Sequence, residues 1–525
     1  MLGRQNLNDL QRSSADCGAP ASLACVDRFA VAYLVLPLLI FLVGWLEPWV
    51  ALPLAACTLY ALWPAIRPRA AGAAPCAPLT RAQLTAGILA GIAWTVFGGT
   101  AHLLFANADW HVRDAVLHDL VSAPWPVGYG ELDGRTSVLR APLGYFLPAA
   151  LVGKAAGLSA AHFAMAIWTA LGASLFLLQV LSLVPARRGA IATVILVLVL
   201  FSGLDIVGNL LNGGPRFRST WSIATHLEWW AVSYQYSSMT TQLFWVPNHA
   251  LGAWLTVGLL YRQPRNTSLD LLLPIMLVAM ALWSPLAALG LLPFAAWRLL
   301  GRLWRERSLV LLDPRVWAPA LLVGLAVTGY LTLDPGGIHS ILRPRVSEGL
   351  LVDLSRHIQF YVLEAGLIGV LVLRLRPSAE VIVALLILAV LPLVQFGPGN
   401  DLVMRASIPS LAVLAIGTSL ALLQQTGDAG GMRSKAALAV LLAVGAVTPV
   451  AEIARAVLLP NWPINRAATV VGADCGRYPP HYIARLGPGL IGRLLRKPHA
   501  LPLGPQGPDS CYNPAMVRMV DAGLI

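Results

Sequence analysis

Residues 84–105 read Leu84-Thr-Ala-Gly-Ile-Leu-Ala-Gly-Ile-Ala-Trp-Thr-Val-Phe-Gly-Gly-Thr-Ala-His-Leu-Leu-Phe105. This continuous run contains no Asp, Glu, Lys or Arg. A helix over this run is long enough to cross about 30 Å of hydrocarbon. It is followed at once by a polar and aromatic segment, Asn107-Ala-Asp-Trp-His-Val-Arg-Asp114. Ionisable residues at such a place favour a functional site. The two segments together predict a membrane protein with chemistry at the membrane surface.

The composition of the whole chain agrees with this prediction. Of its 525 residues, 57% are hydrophobic and 12% are charged, whereas soluble domains carry about 25% charged residues. Similar apolar runs recur along the chain. We therefore predict an all-α fold, a polytopic transmembrane helical bundle of about 13 spans with outer-face loops and juxtamembrane helices. The formal net charge of +12 does not indicate nucleic acid, because the Arg residues lie in short connections between spans.

Basic residues predict the orientation of the spans. Arg67, Arg69 and Arg81 lie in a connection without acidic residues, which we place in the cytoplasm. The next span then runs outward and delivers Asp109 to the outer face. The chain divides into an N-terminal part with the first hairpin (1–83), a transmembrane module (84–455) and a small extracytoplasmic tail (456–525). The predicted outer loops of the module are 107–142, 208–242, 334–356 and 397–405.

Two segments depart from the regular alternation of spans. Leu143 to Ala156 is apolar but short and contains Pro148 and Lys154, so we predict a shallow or re-entrant helix there. A second break falls at Ser284-Pro285, where we predict a helical hairpin that returns to the basic side of the membrane.

The first outer loop supplies candidate catalytic residues: Asp109, His111, Asp114 and Asp119. A carboxylate just above the membrane can accept a proton from an acceptor hydroxyl, or it can bind a divalent cation that bridges to a phosphate. Residues 114–121 are predicted to form an amphipathic helix on the membrane surface. The alternative role for Asp109 is to cap that helix.

Aromatic and polar residues also gather in the second outer loop and at the start of the following span. The candidate substrate-binding residues are Trp110 from the first loop and Glu228, Gln235, Asn248 and His249 from this region. Sugar rings stack on aromatic side chains, while sugar hydroxyls need directional donors and acceptors. The alternative is an aromatic belt at the membrane interface, which explains the rings but not the polar side chains.

The segment Gly397-Pro-Gly-Asn-Asp-Leu-Val-Met-Arg405 adds Asn400, Asp401 and Arg405 as candidate substrate-binding residues. Arg405 lies on the predicted outer side, against the positive-inside trend, and a guanidinium there can bind a phosphate through two hydrogen bonds. The alternative is an Asp401–Arg405 ion pair that stabilises the start of a helix.

Two cysteines, Cys475 and Cys511, lie in the predicted external tail. An oxidising compartment permits a disulfide between them; two free thiols are the alternative. The spacing of Cys and His residues does not suggest a zinc site.

The order of these elements resembles the GT-C superfamily of polytopic membrane glycosyltransferases. The residues that carry the resemblance are Asp109-Trp-His111, the segment Arg140-Ala-Pro-Leu-Gly-Tyr-Phe-Leu-Pro148, and Asn400-Asp401 with Arg405, within about residues 84–455. The resemblance implies a GT-C-like fold and a polyprenyl-phosphate-linked sugar as donor. It also implies inverting transfer on the extracytoplasmic face, with Asp109 as the base and Arg405 at the donor phosphate. The adjacent acidic pair that is common in the family is absent, since Trp110 follows Asp109.

The predicted function is therefore a glycosyltransferase of the cell inner (cytoplasmic) membrane. Its partners would be the lipid-linked donor and a cell-envelope glycan, lipid or protein acceptor, with no nucleic acid. One alternative is a transporter or lipid flippase, which the intramembrane Glu364 favours. Another is an O-antigen polymerase or ligase, which would consume diphosphate-linked oligosaccharides.

Overall fold

The computed structural model describes residues 23–66, 79–212, 226–231, 234–263, 267–306, 313–335, 343–344, 350–396, 400–464, 466–473 and 479–501. Within these ranges the chain is mostly helical. The helices of the first half are α1 (Cys25–Trp45), α2 (Pro48–Ala61), α3 (Trp63–Ile66), α4 (Arg81–Phe97), α5 (Asp109–Ser122), α6 (Leu147–Ala156), α7 (Leu158–Leu181), α8 (Arg188–Leu200), α9 (Asp205–Asn212), α10 (Met239–Trp245) and α11 (Pro247–Arg262).

The second half continues in the same way. Its helices are α12 (Thr267–Trp283), α13 (Pro285–Glu306), α14 (Pro314–Leu331), α15 (Leu350–Tyr361), α16 (Leu367–Leu375), α17 (Ala379–Val390), α18 (Asp401–Ala406), α19 (Ile408–Leu423), α20 (Ala429–Gly445), α21 (Val447–Leu458), α22 (Val470–Ala473) and α23 (Leu490–Leu494). Short 3₁₀ turns cover Thr100–His102, Leu227–Ala231 and Leu391–Leu393, and a π-helical turn covers Val362–Gly366.

Eight helical stretches in the described ranges are long and apolar enough to cross a membrane: Cys25–Trp45, Leu158–Leu181, Arg188–Asn212, Pro285–Trp304, Pro314–Leu331, Leu354–Leu375, Asp401–Leu423 and Ala429–Leu458. Shorter apolar helices cover Pro48–Ala61, Leu147–Ala156, Ser268–Trp283 and Ala379–Leu393. A helix satisfies its own backbone hydrogen bonds, as hydrocarbon requires. The prediction of a helical membrane protein is confirmed by length and composition.

Two helices form the centre of the bundle. Every residue of α11 from Pro247 to Leu259 is buried, and α19 is buried along almost its whole length. Outer helices instead expose one apolar face; α14, for example, exposes Leu321, Leu322 and Leu325. Such a face suits contact with lipid chains. The start of α11, where His249 lies, is therefore held rigidly inside the protein.

Close helix contact positions the first outer loop. A Cβ atom added to Gly91 of α4 would lie 2.7 Å from the backbone nitrogen of Ser174 in α7. Small residues of this kind let two membrane helices approach closely. The end of α4, and with it the chain that leads to Asp109, is thus fixed against α7.

Both irregular segments are helical. Arg298 and Arg302 of α13 both bind the Asp270 carboxylate of α12, which brings the two arms of the helical hairpin side by side. The segment after Leu143 forms the ten-residue helix α6, only about 15 Å long. This length is too short to cross a membrane alone.

A small β-sheet departs from the all-α prediction. Its four strands lie in the order β5-β2-β1-β6: β1 (Val127–Leu132), β2 (Arg135–Leu139), β5 (Ile483–Arg485) and β6 (His499–Ala500). Strand β2 pairs antiparallel with β1 and β5, while β1 pairs parallel with β6. The first outer loop and the C-terminal tail therefore form one structure, and the all-α prediction was wrong for this part. A two-stranded pair joins β3 (Arg343–Pro344) to β4 (Val394–Gln395).

Helix α5 also differs from its prediction. Its residues Trp110, Arg113, Ala115, Val116 and Leu120 are all buried, although the sequence predicts a helix on the membrane surface. Helices α6, α7 and α22 pack against it and cover the sides that would otherwise face lipid or water. The helix is part of the protein interior, so the prediction of a surface helix was wrong.

Candidate functional site

The start of α5 is fixed by hydrogen bonds to α10. The Asn107 Nδ2 atom donates to the Phe244 carbonyl oxygen at 2.8 Å, and Trp110 Nε1 donates to the same oxygen at 3.1 Å. Asn107 Oδ1 also accepts a hydrogen bond from the Asp109 amide. The Trp110 side chain is buried, so it anchors the helix and is not a surface on which a sugar could stack.

Asp109 lies at the first residue of α5 and keeps 47% of its side chain exposed. One of its oxygens lies 3.3 Å from Arg113 Nη2, one helical turn further along. Asp109 does not cap the helix, because the N-cap residue is Ala108 and no side chain caps it. The carboxylate is therefore accessible and lies beside the Arg113 guanidinium.

Arg113 is the most unusual side chain near Asp109. It is buried, and its guanidinium lies 5.5 Å from the centre of the Trp110 ring. Its Nε and Nη1 atoms are also buried and have no hydrogen-bond partner among the described residues. Buried donors of this kind cost free energy unless a partner satisfies them. The arrangement favours a site where an anionic ligand completes the shell.

Residues from distant parts of the chain surround this pair. Burial raises the pKa of the Tyr482 phenol in the tail; Arg113 and Arg405 lower it by their charge, and Asp109 and Asp401 raise it. These four charged groups therefore lie close enough to Tyr482 to act on it together. Three chain segments that are far apart in sequence meet at this point.

The start of α11 contributes to the same region. The charges of Arg405 and Arg113 both reach the buried His249 ring. His249 Nδ1 lies 2.7 Å from Ser284 Oγ, and its Nε2 lies 3.1 Å from Asn248 Nδ2. Asn248 Oδ1 is buried and has no partner in the described part of the chain. A ligand hydroxyl is the kind of group that satisfies such an acceptor.

Asp401 and Arg405 form an ion pair of 2.5 Å across one turn of α18, and about a third of each side chain is exposed. The N-cap residue of α18 is Asn400, whose backbone adopts a left-handed conformation (φ 55°). Asn400 itself is buried, and its Oδ1 atom accepts a hydrogen bond from the Phe396 amide. Asn400 thus shapes the turn, while Asp401 and Arg405 face the shared region.

We name this region the outer site and define it by Asp109, Arg113, His249, Asp401, Arg405 and Tyr482. Four of these residues are predicted from the sequence: Asp109, His249, Asp401 and Arg405. Arg113 and Tyr482 are not among the predicted site residues. Arg113 follows Asp109 by four residues, a spacing that places two side chains on the same face of a helix. The sequence alone could therefore have indicated this pair. Nothing in the sequence pairs Tyr482 with the first loop, because that contact depends on the β-sheet.

Three other predicted catalytic residues lie in the interior. His111 is buried in α5. Asp114 accepts a hydrogen bond of 2.7 Å from His102 Nε2 and lies 3.8 Å from His162. Its two oxygens therefore face two histidine rings, one in the 3₁₀ turn Thr100–His102 and one in α7.

Asp119 is fully buried at the end of α5. One of its oxygens accepts hydrogen bonds from the Tyr129 hydroxyl at 2.8 Å and from the Val470 amide at 2.9 Å. Burial raises the pKa of Asp119, although these hydrogen bonds and one from His118 oppose the rise. Asp119 joins α5 to β1 and to the tail, away from solvent.

Glu228 and Gln235 belong to a different polar cluster. Gln235 Nε2 donates to Glu228 Oε2 at 2.9 Å, and the Ser238 amide donates to Glu228 Oε1 at 2.9 Å. Both acceptor atoms of this buried carboxylate are therefore engaged by the protein. The predicted carbohydrate contacts of these two residues find no support in this geometry.

The described residues hold no group of three or more His, Cys, Asp or Glu side chains arranged to bind a metal ion. The oxygens of Asp114 and Asp119 face protein donors, so neither helps Asp109 to form a cation site. The predicted Cys475–Cys511 pair lies outside the described residues. Comparison with protein families, with curated proteins and with solved structures finds no match to this chain.

Proposed function

We propose that the protein is a membrane glycosyltransferase. It would transfer a sugar from a polyprenyl-phosphate donor to a cell-envelope glycan, lipid or protein acceptor on the extracytoplasmic face of the inner membrane. The observation that carries the proposal is an accessible carboxylate, Asp109, in contact with the Arg113 guanidinium, with a second guanidinium, that of Arg405, within electrostatic range of the same phenol, Tyr482. A base next to two phosphate-binding groups is the arrangement that this reaction needs. The fold would be GT-C-like, with about 13 spans.

The reaction assigns one role to each group. Asp109 accepts the proton of the acceptor hydroxyl as its oxygen forms a bond to the anomeric carbon of the sugar. The bond between that carbon and the phosphate oxygen breaks, and the polyprenyl phosphate leaves with the electron pair. Arg113 and Arg405 stabilise the negative charge that grows on the phosphate.

The partner groups around Asp109 support this assignment. The adjacent Arg113 guanidinium lies 3.3 Å from the Asp109 carboxylate, so the proposed base and a proposed phosphate-binding group are neighbours. The orphaned Nε and Nη1 atoms of Arg113 match the oxygens of a phosphate. The apolar surfaces of the surrounding helices suit the isoprenoid chain of the donor.

The direct test compares membrane lipids, by mass spectrometry, from cells that carry the native protein, no protein, or the Asp109→Asn variant. Accumulation of one polyprenyl-phosphate sugar in both defective strains supports the proposal and identifies the donor. Arg135→Gln, on the exposed end of β2, serves as a matched control and should behave like the native protein. Normal lipid turnover by a folded Asp109→Asn protein would exclude Asp109 as the base.

A transporter or lipid flippase is the second candidate. It is favoured by the buried acidic side chains Asp205, Glu364 and Glu452 within helices of membrane-spanning length, since transporters use such groups. Unchanged lipid-linked sugars together with the loss of a transported molecule would favour this candidate. An O-antigen polymerase or ligase would instead cause a diphosphate-linked oligosaccharide to accumulate.

A further inference from the structure

Four buried carboxyl groups lie together outside the outer site. We name them the acid cluster: Asp205 at the start of α9, Glu228 in the 3₁₀ turn, Glu364 in the π-helical turn and Glu452 in α21. None has more than 4% of its surface exposed. Burying a charge is costly unless it is paired, so each carboxyl group needs a partner.

Two of the four carboxylates are balanced by cations. Glu452 lies 2.9 Å from His226 Nδ1 and 2.6 Å from Arg455 Nη1. His226 Nε2 lies 3.5 Å from Glu228. Burial lowers the pKa of His226, but hydrogen bonds to Glu228 and Glu452 outweigh burial and raise the pKa to about 9. His226 is thus an imidazolium at neutral pH and, with Arg455, offsets two negative charges.

Asp205 and Glu364 have no ion pair with a basic residue in the described part of the chain. Asp205 Oδ2 accepts hydrogen bonds from Ser202 Oγ at 2.9 Å and from Thr448 Oγ1 at 2.8 Å. Glu364 Oε1 accepts one from Trp230 Nε1 at 2.9 Å. All of these donors are neutral, so they do not balance the charge of two carboxylates.

The remaining oxygens point to the missing partner. Asp205 Oδ1 and Glu364 Oε2 are buried, and each has no donor among the described residues. The two side chains nevertheless lie close together, since the Leu204 amide, next to Asp205, donates to the Leu363 carbonyl oxygen, next to Glu364, at 3.1 Å, and each carboxyl group acts on the other. An ionised carboxylate only accepts hydrogen bonds. A hydrogen bond between two carboxyl groups therefore requires a proton on one of them.

Tight backbone contact closes the space around this pair. A Cβ atom on Gly203 would lie 2.0 Å from Glu364 Oε2, and one on Gly445 would lie 2.7 Å from the Gly203 carbonyl oxygen. The backbone of Gly203 therefore lies against the Glu364 carboxyl group, and the backbone of Gly445 lies against Gly203. The confined space favours a proton over a hydrated metal ion as the shared ligand.

The backbone around Glu364 is itself unusual. Glu364 occupies the π-helical turn between α15 and α16, and such insertions in α-helices are frequent at functional sites. The turn directs Glu364 towards Asp205 and Trp230, which belong to other elements. Asp205, its partner Thr448 and Trp230 thus link α9, α21 and the 3₁₀ turn Leu227–Ala231 to the π-helical turn that carries Glu364.

We infer that Asp205 and Glu364 form an intramembrane proton-binding site, in which one proton shared by the two carboxyl groups fastens the π-helical turn to α9 and α21. The inference does not depend on the proposed transferase activity. Loss of the proton would leave two carboxylates in contact, and their repulsion would separate the helices. The other ionisable groups that face the pair are Glu228 and Tyr236, both without a positive charge.

Infrared spectroscopy of the full-length protein in lipid nanodiscs tests the inference, because a protonated carboxyl group has its own carbonyl band. We expect the native protein to show such a band at neutral pH and to lose it on titration with base. Asp205→Asn and Glu364→Gln should each abolish the band, since an amide donates the hydrogen bond and leaves the remaining carboxylate ionised. Glu380→Gln, at the start of α17, should leave the band unchanged.

Thermal unfolding provides a second measurement. The native protein should lose stability as base removes the shared proton, whereas Asp205→Asn and Glu364→Gln should show a flatter dependence on pH. A native protein without a carboxyl band at neutral pH would overturn the inference, even if a variant failed to fold. A native band that persists in both folded variants would overturn it as well.

Discussion

His102 Nε2 lies 2.7 Å from Asp114 Oδ2, and both side chains are buried. His102 also lies 3.1 Å, through Nδ1, from the Trp462 carbonyl oxygen in the tail, and its backbone is left-handed with φ 56°. This strained turn after α4 is thus held from two sides. The contact fixes the course of the chain just before Asp109.

Because Asp114 supports this turn, we expect Asp114→Ala to destabilise the protein. The change leaves His102 without its buried acceptor, at a cost of about 1–3 kcal/mol. Asp109→Asn should change stability by less, because the half-exposed side chain keeps an acceptor oxygen for the buried Arg113 guanidinium. Thermal unfolding in detergent measures both effects. Equal losses for the two variants would contradict the structural role of Asp114.

Asp119 provides a second test of whether a buried carboxylate of α5 has a structural role or a catalytic one. Asp119→Ala removes the acceptor for the Tyr129 hydroxyl and the Val470 amide, so we expect a loss of about 2–4 kcal/mol. Asp119→Asn retains one acceptor oxygen and should lose less. Activity per folded molecule should stay near the native level in Asp119→Asn. A folded Asp119→Asn protein with activity as low as that of Asp109→Asn would make Asp119 catalytic.

Arg113 should contribute to donor binding. Arg113→Gln removes a charged partner of the donor phosphate, which we expect to raise the donor KM by about 10- to 100-fold. Arg113→Lys keeps the charge but loses the guanidinium fork, so it should recover part of the affinity. A transfer assay with graded donor concentrations measures both. An unchanged KM for a folded Arg113→Gln protein would remove Arg113 from the outer site.

His226 predicts a specific dependence of stability on pH. Its folded pKa of about 9 is above the ordinary value of 6.5, so its contribution is complete below the ordinary value and is lost as pH rises through about 9. The shift corresponds to a few kcal/mol at most, roughly 1.4 kcal/mol per unit. We expect the native Tm to fall over this interval more steeply than that of His226→Gln.

Comparison with a second histidine makes the result specific. His499→Gln, on the exposed strand β6, should keep the native dependence on pH. Parallel pH profiles for the native protein and His226→Gln would contradict the proposed imidazolium. Because each comparison uses the same protein background, contributions from titrating groups that do not contact His226 cancel.

The sequence predicts the helical part of this fold because membrane helices leave a strong local signal. The length and the apolar character of a run such as Leu158–Leu181 can be read directly from the sequence. The sequence also predicts Asp109, His249 and Arg405 as site residues, since each is a polar residue next to an apolar run. Their positions along the chain, however, do not reveal that they meet.

The remaining features depend on contacts between distant segments. Strands β5 and β6 have three and two residues, too few to show an alternating pattern. Helix α5 has the composition of a surface helix, and contacts with α6, α7 and the tail make it an interior one. The π-helical turn at Glu364 has no sequence signature, so the pairing with Asp205 was not predictable.

The sheet that joins the first outer loop to the tail imposes an order on biosynthesis. Trp462 follows its partner Ala106 by 356 residues, and Val470 follows Asp119 by 351. At ribosomal rates of 5–20 residues per second, this separation is a delay of roughly 20 to 70 s. During that time β1 and β2 have been synthesised, while their free edges still await β6 and β5. The newly made protein therefore passes through an immature stage that a chaperone or protease could recognise, and it matures only when the last strand arrives.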